Sequence, residues 1–135
     1  MNRFPVFIAA LWWGSLTAVG FLVVPLLFVH LPTPQIAGQM AAKLFSAQTW
    51  VAVVCGLLFL LFSRSKWQVA GASTQSLAMS FVVGGMLLAL LLEFAVAPRI
   101  VARENLKLWH GVGSAMYFAQ WLCAGGLLWK LATRR

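Results

Sequence analysis

The stretch FPVFIAALWWGSLTAVGFLVVPLLFVHL, residues 4–31, contains no aspartate, glutamate, lysine or arginine. It is longer than the roughly 20 residues that an α-helix needs to span the hydrocarbon core of a bilayer. Because backbone polar groups in lipid must be satisfied within the chain, we expect this run to be helical. A basic start, Met1–Arg3, precedes it, but the run is too long for a signal peptide and no small-residue cleavage site follows. We therefore expect a retained first transmembrane helix.

Three further apolar runs follow the first, at about 35–62, 73–98 and 106–132. The runs are joined by short connections, LPTP (31–34), SRSKWQVAG (63–71) and RIVARE (99–104). Short connections make successive helices antiparallel neighbours. The sequence therefore predicts one all-α domain, residues 1–135, folded as a polytopic membrane protein with a four-transmembrane-helix bundle.

The composition supports a membrane protein and argues against several other classes. The 135-residue chain is 62% hydrophobic and 9% charged, whereas soluble domains are about 25% charged. The net charge of +8 comes from basic residues at the ends of apolar runs, which favours lipid headgroups over nucleic acid as the partner. We find no phosphate loop, nucleophile elbow, HExxH or dinucleotide motif. The protein is therefore not expected to be an enzyme, and the sequence requires no cofactor.

The lysines and arginines favour both termini in the cytoplasm, since cytoplasmic connections carry more of them. With the N-terminus inside, six lie on the inner side and four on the outer side. The inner set is Arg3, Arg64, Lys66, Lys130, Arg134 and Arg135, and the outer set is Lys43, Arg99, Arg103 and Lys107.

A weak internal repeat relates the two halves at an offset of 73 residues. Phe21 and Pro25 of FLVVP fall on Phe94 and Pro98 of FAVAP, and further matches are Gly38 with Gly111 and Phe45 with Phe118. The two helical hairpins could thus be parallel repeats. Each proline lacks an N–H and leaves a carbonyl four residues back unpaired, so we expect helix kinks at Pro25 and Pro98 and free carbonyls at Phe21 and Phe94.

The unusual polar residues gather near one membrane face, which is the outer one in this orientation. Glu93 is the only acidic residue inside an apolar run, and an ionisable residue in a membrane helix predicts a functional site. It must either pair with a cation or remain protonated. His110 lies at a similar depth and is the expected partner in a structural clasp, and a site for a proton, cation or ligand is the alternative. The candidate cluster is Glu93, His110, His30, Lys43 and Arg99.

His30 and His110 are also candidate ligands for a metal or a haem. No pair of potential ligands has the i, i+3 or i, i+4 spacing of a helical metal site. Cys55 and Cys123 are expected in the opposite leaflet, where they could not join such a site.

Small residues recur every four positions in each run, a spacing that lets helix backbones approach closely. We expect them to pack inside the bundle, with a dimer face as the alternative. The sets are Ala10, Gly14 and Ala18; Ala52 and Gly56; Ala72, Ser76, Ser80 and Gly84; and Gly111, Ala115, Ala119 and Cys123.

The chain resembles the DUF4149 family, whose eukaryotic relatives are the TMEM205-like membrane proteins. The resemblance rests on single residues spread along the chain: Trp12 with Gly14, Pro25 with Phe28, Ala37-Gly38, Phe45, Pro98, His110-Gly111 and Ser114. It implies a four-helix protein of the bacterial inner membrane whose activity is unknown. The association of the TMEM205-like relatives with platinum-drug resistance implies metal-adduct handling by analogy alone.

Three functions remain open from the sequence. The first is non-enzymatic transport, or small-ligand or metal handling, at the cluster around Glu93. The second is a structural or regulatory membrane partner that forms a homo-oligomer through its small residues. The third is a haem- or metal-binding redox protein that uses His30 and His110.

Overall fold

The computed structural model describes residues 3–63 and 72–133, and for residues 72–74 it describes the backbone alone. The second connection beyond Ser63, and with it Arg64 and Lys66, lies outside the described residues, as do Arg134 and Arg135. The described chain forms four long helices. They are α1 at Phe4–His30, α2 at Pro34–Ser63, α3 at 72–101 and α4 at Leu106–Ala132.

The four predicted helices are confirmed, with one boundary to correct. The third helix does not end at Pro98, since Ala97–Val101 continues it as α-helix. The third connection is therefore 102–105, and Arg99 belongs to α3. Pro98 follows just after the π-helical turn Leu92–Val96, at the beginning of this last α-helical segment.

Both α1 and α3 contain a π-helical turn just before their proline. In α1 it spans Val19–Val23, and in α3 it spans Leu92–Val96. These turns lie where the prolines predict kinks. The first residues of the two turns are 73 residues apart, and so are the last residues. This is the offset of the sequence repeat, so the two hairpins share the same backbone irregularity at the same position.

The start of α2 is fixed by local chemistry. The backbone N–H of Ile36 donates to Thr33 Oγ1 at 3.2 Å, which is a helix N-cap bond. Pro34 follows as the first helical residue, where no N–H is needed. At the start of α4, Asn105 takes a left-handed conformation with φ 35°, which asparagine tolerates better than most residues.

Contacts between the helices show an antiparallel ring in the order α1, α2, α3, α4. Phe4 of α1 stacks edge-on against Phe62 near the end of α2. Gly56 of α2 lies against Met86 of α3, and Gly126 of α4 lies against Phe81 of α3. The ring closes where Trp13 of α1 meets Trp121 of α4, with ring centroids 5.7 Å apart.

The centre of the ring is a small, tightly packed core. Trp12 is completely buried and reaches across to Gly85 of α3. Leu16, Phe59 and Leu127 are also completely buried. Small residues such as Ala52 and Ala89 fill the space between these large side chains, so neighbouring backbones can lie close together.

The outside of the bundle is apolar, as expected for a protein in lipid. Among the described residues, α1, α2 and the 75–101 part of α3 are long and apolar enough to cross a membrane. Within the most apolar 18-residue stretch of each of these helices, only 22–33% is buried inside the structure. Phe7, Leu61 and Phe94 are each about two-thirds exposed. The fold is therefore that of an integral membrane protein. The fourth helix has the length to span but is less apolar, since it contains Gln120, glycines and tryptophans.

Candidate functional site

Glu93 is held by a hydroxyl from the neighbouring helix. It is the second residue of the π-helical turn in α3, and its side chain is half-buried. Ser46 of α2 donates a hydrogen bond to Glu93 Oε1 over 2.7 Å. Glu93 lies eight residues before the end of α3 at Val101, which is about 12 Å of helix. The carboxyl group is therefore placed well inside the apolar part of the bundle.

Glu93 does not pair with His110, contrary to the expectation from the sequence. Among residues 3–63 and 72–133, no basic nitrogen lies within 4.0 Å of a Glu93 oxygen. His110 is exposed, and the contact that involves it is made by its backbone carbonyl, which accepts a bond from Ser114 Oγ. The partner that the structure gives Glu93 is neutral.

The other cluster residues are exposed, and the contacts of His30 and Arg99 are with groups other than Glu93. His30 is exposed, and its Nδ1 bonds to the Leu26 carbonyl of the preceding turn at 3.0 Å. Lys43 is exposed and lies about one turn before Ser46 on α2. Arg99 stacks its guanidinium on the Trp109 ring, 4.5 Å from the centroid. The predicted cluster therefore separates into Glu93 with Ser46, and cations that reach the surface.

The metal hypothesis gains no support from the geometry. Within the part of the chain that the structure describes, no three histidine, cysteine, aspartate or glutamate side chains come together as metal ligands. His30 uses one ring nitrogen on its own helix. His110 and His30 are both exposed rather than enclosed by protein.

A second group of polar contacts, which the sequence did not reveal, crosses the middle of the bundle. Gln48 of α2 is buried and donates from Nε2 to Ser15 Oγ at 2.9 Å. Ser15 in turn donates to the Trp12 carbonyl. On the other side of α1, Trp121 Nε1 donates to Thr17 Oγ1 at 2.9 Å. Hydrogen bonds between membrane helices hold the bundle together where hydrophobic contrast is weak.

Two further contacts end on carbonyls at positions that the 73-residue repeat relates, Leu16 and Ala89. The Tyr117 hydroxyl of α4 donates to the Leu16 carbonyl at 2.6 Å, just before the π-helical turn of α1. Thr49 Oγ1 of α2 lies 3.5 Å from the Ala89 carbonyl, at the corresponding place in α3. Side-chain hydroxyls thus approach the Leu16 and Ala89 carbonyls, although Thr49 Oγ1 lies closer to the Phe45 carbonyl of its own helix, at 3.1 Å. The carbonyls that the prolines are expected to leave free, those of Phe21 and Phe94, lie five residues further along each helix.

The repeat also shows how Glu93 differs from its counterpart in α1. The equivalent position is Gly20, the second residue of the first π-helical turn. The Tyr117 ring occupies the space that a side chain at Gly20 would need. The same backbone position therefore contacts an aromatic ring in one half and carries a carboxyl group in the other.

Among the side chains that the structure describes, the buried polar atoms without a hydrogen-bond partner are Trp12 Nε1 and Gln120 Oε1. One is a donor and the other an acceptor, and their residues are 0% and 2% exposed. A buried polar atom without a partner costs about 1–3 kcal/mol. The centre of the bundle is therefore not optimised for stability alone.

The expected packing role of the small residues is corrected at most of the predicted positions. A side chain added at Gly14, Gly84 or Gly111 would meet nothing within 4 Å, and Ala115 is exposed. Among the side chains that the structure describes, Ala52 and Gly56 form the one set that is fully buried, and Cys123 of another set lies against Gly85. The glycines at close approaches between helices are Gly20, Gly56, Gly85, Gly113, Gly125 and Gly126. The outer sets leave shallow, unoccupied faces on the surface.

Fold and site together define a small helical membrane protein with a carboxyl group inside its apolar region. Comparison with known proteins identifies the family of the chain. Residues 7–107 match a domain of unknown function, DUF4149, so the chain belongs to that family. No curated protein and no solved structure matches the chain.

Proposed function

We propose that the protein is a non-enzymatic membrane carrier or receptor that binds a proton or a small cation at Glu93. The observation that carries this proposal is the hydrogen bond from Ser46 to a carboxyl group with no basic partner among the described residues. A lone charge in a membrane helix is costly. Glu93 therefore needs to take up a proton or a cation to become neutral.

The surroundings of Glu93 favour reversible binding over a fixed role in the fold. Ser46 can donate to one carboxyl oxygen and leaves the second oxygen free for a proton or a cation. The Glu93 side chain is half-buried, so the bundle does not fully enclose it. It also lies in a π-helical turn, an irregularity that often occurs at functional sites.

We place the protein in the bacterial inner membrane with both termini in the cytoplasm. The distribution of lysine and arginine supports this orientation. In it, Glu93 lies in the outer half of the bilayer, where it would exchange protons or cations with the external side.

The test is proton movement in vesicles that contain the purified protein and an entrapped pH-sensitive dye. A pH step, with and without external sodium or potassium, should produce a dye response that Glu93→Gln abolishes. Ser46→Ala should weaken the response, since the carboxyl group loses its donor. His110→Gln is the matched control and should respond like the wild type. Circular dichroism and gel filtration check that each variant remains folded.

Other results would contradict the proposal. If Glu93→Gln unfolds more easily in detergent but responds to protons and cations like the wild type, Glu93 is a structural clasp. If infrared spectra show no carboxyl band that is lost in Glu93→Gln and changes with pH or cations, Glu93 does not bind either ion.

Assembly into a homo-oligomer is the second function we propose. It is supported by the outward position of Gly14 and Gly84, since small outward residues let another helix approach closely. In that case Glu93→Gln would be silent, and a leucine at Gly14 would break assembly.

A further inference from the structure

We infer that the outer face of α4 binds an anionic phospholipid, with the headgroup at Lys107 and an acyl chain along the helix. A shallow groove of about 560 Å³ lies on this face. That volume is within the range of small-molecule sites, about 300–1,000 Å³. The groove is lined by Asn105, Lys107, Leu108, Gly111, Val112 and Ala115.

The groove has a polar end and an apolar end. Asn105 and Lys107 form the polar end, next to the connection between α3 and α4. Gly111 and Ala115 lie one and two turns further along α4, toward the centre of the bilayer. This order matches a phospholipid, whose headgroup lies at the surface and whose chains extend inward.

The floor of the groove exists because Gly111 has no side chain. A side chain built there would meet no heavy atom of another residue within 4 Å, so it would fill the groove without disturbing the bundle. Ala115 is exposed one turn later and continues the same shallow surface. An acyl chain can therefore lie close to the helix backbone.

The polar end carries an excess of positive charge. Arg99, Arg103 and Lys107 lie within nine residues, against the single acidic Glu104. Stacking on Trp109 restrains the guanidinium of Arg99 at this end of α4. Each basic residue near a membrane surface attracts anionic headgroups, so the occupant should be an anionic lipid.

A second copy of the chain fits the groove less well. Two copies related by a two-fold axis along the membrane normal would present the same surface to each other at the same depth. Their Lys107 side chains and their Arg103 side chains would then lie near one another. Like charges brought together oppose association, whereas an anionic lipid neutralises them.

Native mass spectrometry in mild detergent, with added phosphatidylglycerol or phosphatidylcholine, tests the proposal. Lys107→Gln should lower the affinity for phosphatidylglycerol by about fivefold and leave that for phosphatidylcholine unchanged. Gly111→Leu should lower the binding of both lipids, because it fills the groove. The matched controls are Gly38→Leu, a glycine of α2 whose added Cβ would also meet nothing within 4 Å, and Lys130→Gln, a lysine at the other end of α4. Neither should change lipid binding.

Two results would overturn the proposal. Equal phosphatidylglycerol binding by the wild type, Lys107→Gln and Gly111→Leu would show that the groove holds no lipid. A change in oligomeric state with Gly111→Leu in lipid-free detergent would show that a second copy occupies it.

Discussion

Tyr117 has two roles at the first π-helical turn. Its ring fills the space at Gly20, and its hydroxyl donates to the Leu16 carbonyl. Tyr117→Phe keeps the ring and removes the hydrogen bond. We expect the free energy of unfolding to fall by about 0.6 kcal/mol, and by no more than about 1.7 kcal/mol, the range for bonds between membrane helices. Equilibrium unfolding in mixed micelles measures the change.

A suitable control for Tyr117→Phe is Ser80→Ala. The Ser80 hydroxyl is exposed and bonds to the Ser76 carbonyl of its own helix. Its removal should leave stability nearly unchanged. Equal losses in the two variants would mean that the bond from Tyr117 does not join α4 to α1 with any measurable energy.

Glu93 illustrates what can be predicted for a single residue. An acidic group in an apolar run is conspicuous, so the sequence identifies it as the group that needs an explanation. Its partner is harder to find, because a serine such as Ser46 is unremarkable in a membrane helix. Lys43 and Ser46 are three residues apart on nearly the same face of α2, so the rotation of α2 and its shift along α3 together decide which of them meets Glu93. That rotation depends on packing along the whole helix.

Gly84 and Gly85 provide a matched pair for the contact between helices. An added Cβ at Gly85 would lie 2.8 Å from two ring atoms of the buried Trp12, whereas one at Gly84 would meet nothing within 4 Å. We expect Gly85→Ala to cost about 1–3 kcal/mol through overpacking. Gly84→Ala should cause no loss. Thermal unfolding of the two variants in the same detergent makes the comparison, and equal melting temperatures would contradict the packing described for Trp12.

The sequence predicts where the helices lie better than it predicts which face of each helix is buried. Long apolar runs define the four helices to within a few residues, because lipid demands internal hydrogen bonds. Which face is buried is less clear, since lipid-facing and core-facing positions are both apolar. A four-residue spacing of small residues therefore identifies a helix face without large side chains. It does not show which neighbour packs against that face. At Gly111 that neighbour is outside the bundle, whereas Gly113, two residues later, packs against Val96.

For the whole molecule, four antiparallel helices that all cross the membrane would place the start of α1 and the end of α4 on the same side. We expect reporters fused at the N- and C-termini to be active in the same compartment. Reporters inserted at 31–33 and at 102–105 should be active in the opposite one. The measurement is the activity ratio of alkaline phosphatase to fluorescent-protein fusions at each place. Termini on opposite sides would show that α4 does not cross the membrane.

The matched π-helical turns bear on the history of the chain. A π-helical turn is one residue added to an α-helix. Two additions 73 residues apart, each followed by a proline, are most simply inherited from one ancestral hairpin that already carried the addition. Such a hairpin would have paired with a second copy of itself to bury its polar groups. The contacts of Tyr117 with Leu16 and of Thr49 with Ala89 each join one half of the chain to the other. They lie where two separate hairpins would first have met.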